Sequence, residues 1–70
     1  MKIKLTKDSR GVVADFVDLP GAPPVGIGQT KAEAVTDLFV RLIYDRTYSK
    51  YVIESRDNGA LRNVQLIHKF

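Results

Sequence analysis

The sequence predicts an α+β domain: a small antiparallel β-β-β sheet packed on one helix, followed by a C-terminal β-hairpin. Three observations predict it. Residues 2–7 alternate polar and apolar side chains. Residues 18–30 hold three of the five glycines and all three prolines. Residues 30–42 open on a capping box and carry an apolar stripe at helical spacing. The 70 residues make one domain, 1–70. A chain this short buries only roughly 60% of its unfolded surface, so its core is small.

The first strand places Ile3 and Leu5 on one face and Lys2, Lys4 and Thr6 on the other. Asp8-Ser9-Arg10-Gly11 reads as a turn, with Gly11 supplying positive φ. Residues 12–18 follow as the second strand. Val12, Ala14 and Phe16 share one face, and Val13 and Val17 share the other with Asp15 between them. A strand apolar on both sides is central, or its second face meets a partner.

Pro20-Gly21 ends that strand, because Pro20 lacks an N–H and Gly21 accepts the left-handed region of a tight corner. Val25-Gly26-Ile27-Gly28 reads as a short edge strand whose glycines permit a close approach. In Thr30-Lys31-Ala32-Glu33 the Thr30 hydroxyl accepts from the Glu33 amide, and Glu33 reaches back to the Thr30 amide. Ala34, Val35, Leu38, Phe39 and Leu42 form the stripe, and Asp37 and Arg41 pair four residues apart. The helix is expected to run to Asp45 or Arg46.

Tyr48 to Ser55 favours a strand, and Asn58-Gly59 suits a two-residue hairpin loop. That register sets Ile53 against Val64 and Tyr51 against Leu66. The alternative is a C-terminal helix from Ala60, with Leu61, Val64 and Ile67 at three-residue spacing.

The net charge is +3, there is no cysteine, and no apolar run approaches the ~20 residues of a membrane span. A charged start is unlike a secretory signal, so the expected location is the cytoplasm. Metal, cofactor and catalytic sites are not expected. Gly26-x-Gly28 lacks the third glycine of a dinucleotide fingerprint, since position 31 is lysine, and the Walker spacing is absent. An anion on the helix start stays open as an alternative to a structural corner. His68 is the single histidine, with no acidic neighbour in sequence to make a site. Asp15 and Asp18 are three apart on a strand and face opposite sides, so they do not form a carboxylate pair.

Val40, Ile43 and Tyr44 lie off the buried helix stripe. Either the C-terminal hairpin covers them or they meet another chain. Val13 and Val17 raise the same choice for the outer sheet face. Lys2, Lys4 and Lys7 line a sheet face or edge, where lysines discourage stray pairing. With Arg46 and Lys50 they are the candidate polyanion contacts, and Tyr44, Tyr48 and Tyr51 nearby suit stacking on bases or a protein interface.

Two motifs, Asp18-Leu19-Pro20-Gly21 after the second strand and Thr30-Lys31-Ala32-Glu33-Ala34 at the helix start, resemble the N-terminal domain of the HicB-like antitoxin family. The resemblance covers about two thirds of the chain. It implies a β-β-β-α domain, and about 25 residues after the helix are too few for the family's separate DNA-binding module. What it implies is the partner-binding half: a non-enzymatic module, phage- or mobile-element-borne, that binds and inhibits a toxin-like protein or host enzyme as a homodimer. The alternative is a nucleic-acid-binding accessory protein using the weak basic face.

Overall fold

The computed structural model describes residues 1–49 and 64–70. The chain forms β1 (Lys2–Asp8), β2 (Gly11–Phe16), β3 (Val25–Gly28), α1 (Lys31–Tyr44) and β4 (Gln65–His68). The four strands make one sheet in the order β3-β2-β1-β4. This is the expected α+β fold.

Alternating side chains set the register. β1 and β2 pair antiparallel, with Ile3 opposite Phe16, Leu5 opposite Ala14 and Lys4 opposite Asp15. Gly11 takes φ of 114° at the hairpin, as the turn requires. Arg10 closes the same turn by donating from its backbone amide to Asp8 Oδ1 (2.8 Å) and from Nη2 to Oδ2 (2.7 Å). β3 pairs antiparallel with β2, so β2 lies inside the sheet and β3 at its edge, as its sequence predicts.

β4 pairs with β1 in parallel, Ile3 opposite Leu66 and Leu5 opposite His68, which makes the sheet mixed rather than wholly antiparallel. β3 and β4 therefore point the same way from opposite edges, and parallel strands need a crossover between them. α1 belongs to that crossover and packs on β3 and β2. β1 is consequently an interior strand, so of the face or edge expected for its lysines only a face is left to them. Period-two alternation also separates them: Lys2 and Lys4 lie on the outer face and Lys7 on the helix-facing side.

The C-terminal residues correct two readings. A helix from Ala60 fails over residues 65–68, which are extended and paired to β1. The strand expected from Tyr48 does not begin there. Asp45 Oδ1 accepts the amides of Thr47 (2.8 Å) and Tyr48 (3.1 Å), and its carbonyl accepts from Ser49 (2.8 Å). Aspartate is a preferred N-cap, and it starts a new turn that leaves Ser49 helical. The Asn58-Gly59 loop and the pairs Ile53–Val64 and Tyr51–Leu66 lie outside the described residues.

The core sits between sheet and helix: Ile3, Leu5, Val12, Ala14 and Phe16 against Ala34, Leu38, Leu42 and Tyr48. Phe16 and Phe39 meet edge to face with centroids 6.5 Å apart. Thr30 Oγ1 accepts from the Glu33 amide at 3.1 Å, as the capping box predicts. The reciprocal bond lands one residue earlier, with Glu33 Oε2 accepting from the Gln29 amide at 2.9 Å.

Candidate functional site

The exposed face of α1 follows from its inner one. Ala34, Leu38 and Leu42 repeat every four residues and are fully buried. Val40, Ile43 and Tyr44 fall about a quarter- to a half-turn away and stay 47%, 55% and 83% exposed. Where this face meets β3, a shallow groove of about 370 Å³ opens between Pro24 and Val25 on one side and Val40, Arg41, Tyr44 and Asp45 on the other.

Glycine sets how closely β3 approaches the helix. A Cβ on Gly26 would lie 2.2 Å from the Ala34 carbonyl oxygen and 2.5 Å from the Leu38 nitrogen. A Cβ on Gly28 would lie 2.6 Å from Glu33 Cβ. The partner that these glycines admit is therefore the helix itself. At the helix start, Thr30 Oγ1 takes the Glu33 amide and Glu33 Oε2 takes the Gln29 amide just before the cap.

Asp37 fixes the groove's rim. Its Oδ2 accepts from the Ile27 amide on β3 (2.9 Å) and from Arg41 Nε (2.9 Å). The Ile27 amide and then the Arg41 guanidinium hold the Asp37 carboxyl below its ordinary value of 3.8. Arg41 is thereby drawn along the helix toward β3, and the predicted Asp37–Arg41 pair gains a third member that spacing alone does not reveal.

The Pro-Gly corner is pinned from behind. Gly21 has φ of 78°, and a Cβ there would meet Tyr48 Oη at 2.7 Å. The Tyr48 hydroxyl donates to the Pro20 carbonyl, and its ring is buried in the core. Tyr48 is thus a structural anchor and not a surface for stacking bases. Asp18 Oδ1 accepts from the Lys2 amide at 3.0 Å and ties the corner to the start of β1.

The remaining predicted residues are not brought together. Val17 is 47% exposed beyond the end of β2, but Val13 on the same face is only 5% exposed and offers a partner little surface. Lys2 and Arg46 are exposed, Lys4 is half-buried opposite Asp15, Lys7 is on the opposite sheet face, and Lys50 lies outside the described residues. Among the described residues no three His, Cys, Asp or Glu side chains gather as a metal site, and no helix is long and apolar enough to cross a membrane. His68 is exposed and hydrogen-bonded to Lys31.

The structure thus places the three predicted helix residues on one surface and leaves the basic set dispersed. The residues that sequence reasoning missed are Asp37 as a bridge, Tyr48 as an anchor and Pro24–Val25 as the groove's far wall. The apolar run Pro23-Pro24-Val25 beside the glycines was the available signal for the last. No protein-family model, no curated protein and no solved structure matches this chain.

Proposed function

We propose that the protein is a non-enzymatic binding module that uses the Val40, Ile43, Tyr44 face and the adjoining groove to hold a protein partner. The observation that carries this is the exposure of three large apolar side chains on a single helix face, bordered by apolar Pro24 and Val25. Exposed apolar surface of this kind, rimmed by charge, marks interaction sites more often than accident. Arg41 and Asp45 supply the rim.

The reading draws on the HicB-like resemblance of Asp18–Gly21 and Thr30–Ala34. It assigns the chain an antitoxin-like or phage accessory role in the cytoplasm, binding a toxin-like protein or host enzyme. In the partner's absence, a second copy of the chain covers the same face, giving a homodimer. A nucleic-acid role is the lesser reading, because the lysines are split between two sheet faces.

Affinity capture from a host lysate tests it with two controls. The captured protein should persist after nuclease treatment and be lost with Tyr44→Asp. Capture that depends on nucleic acid, or that survives Tyr44→Asp and Val40→Asp alike, contradicts the assignment. Salt separates the two classes further, since phosphate contacts weaken steeply with salt and apolar contacts do not.

A further inference from the structure

We propose that Lys31 is the clasp of an acid-sensitive fastener on the C-terminal strand, opened when His68 takes up a proton. Lys31 is the first residue of α1. Its Nζ lies 3.0 Å from His68 Nδ1, 3.2 Å from the Phe70 backbone oxygen and 4.6 Å from the centre of the Phe70 ring. An ammonium has three protons and no lone pair. Two protons meet acceptors and the charge meets a ring face, so all three contacts draw on the same cation.

The bond to Nδ1 exists only while that nitrogen keeps its lone pair. Protonation removes the acceptor and sets a second positive charge 3.0 Å from the first. Among the described residues, the charged side chains next to His68 along β1 and β4 are cations. On β1, His68 is in register with Leu5, and the next residue on that face is Lys7. Its neighbour on β4 is Lys69. The carboxylate of the first helical turn, Glu33, is engaged with the Gln29 amide.

β4 is the strand such a clasp can control. It has four residues, and Gln65, Leu66 and His68 are exposed. Its remaining ties to β1 include backbone bonds from the Gln65 amide to Met1 (2.9 Å) and from the Lys69 amide to Leu5 (3.0 Å). Short edge elements with few buried contacts are the first to open locally. Release of β4 would strip those partners from the β1 edge without touching the α1–β3 contact.

Amide hydrogen exchange read by NMR tests this directly, as protection factors corrected for the intrinsic pH dependence. Between about pH 7.5 and about pH 5.5, Lys69 protection should fall about fivefold or more while Leu38 protection holds. His68→Asn retains an acceptor and does not titrate, so its Lys69 protection should be flat over this range. Lys31→Met should leave Lys69 poorly protected at both pH values with Leu38 unchanged. A flat wild-type response, a fall that Leu38 shares, or the same fall in His68→Asn would overturn the proposal.

Discussion

The two edges of this sheet are built by opposite means. β3 is locked to the helix: Gly26 and Gly28 bring the backbones into contact, and Asp37 takes the Ile27 amide. β4 carries three exposed side chains of four and is held by backbone register and the Lys31 contacts. The contrast shows where a small domain concentrates its stability. β3 is fastened to the helix beside the candidate binding groove, and under the proposed fastener β4 is the edge that opens first.

Substitutions to the same residue should therefore have unequal effects on the two edges. Gly26→Val drives a side chain into the Ala34 and Leu38 backbone, and the loss should be about 3 kcal/mol or more by denaturant unfolding. Gln65→Val, on exposed β4, should stay within about 0.5 kcal/mol of wild type. Comparable losses at both sites would break the distinction between the edges. Tyr48→Phe removes the hydroxyl that satisfies the Pro20 carbonyl and should cost about 1 kcal/mol in the same measurement. A neutral result would mean that the corner does not depend on its anchor.

The β3 edge also carries an acid dependence. Asp37 titrates below its ordinary 3.8 because the Ile27 amide and Arg41 favour its charged form. Its contribution to stability is thus complete above that value and is lost as pH falls through the lower folded one. Asp8, held down by Arg10, changes in the same direction. Urea midpoints followed from about pH 5 to about pH 2 should decline more steeply for wild type than for Asp37→Asn. Parallel declines would remove Asp37 from the account.

Much of the fold was legible because each signal was local. The Lys2–Thr6 alternation, the Gly11 turn and the Thr30 cap all act within a few residues and appear as read, whereas β2 stops at Phe16, short of the Asp18 end expected before Pro20-Gly21. Long-range pairing was not legible. Gln65–His68 can pair with any free edge, and nothing in its pattern selects a parallel partner in β1. Asp45 was read as a helix end when its side chain also starts the next turn. The helix surface at Val40, Ile43 and Tyr44 was readable from spacing, because residues that miss one stripe must face elsewhere. At Pro24–Val25 the apolar run was visible, but its facing Val40 and Tyr44 was not, since that needs the long-range packing of β3 on α1.

The central claim, that the outer face of α1 is a contact surface, is tested most directly by sedimentation equilibrium on wild type and Tyr44→Asp, with helical content checked by circular dichroism. The account predicts a wild-type mass twice the 7.8 kDa of one chain. That mass should persist in about 0.5 M salt, where exposed charges are screened beyond several ångströms. Tyr44→Asp should sediment as a monomer with unchanged helical content. A monomeric wild type, or a Tyr44→Asp variant that remains dimeric, would contradict it.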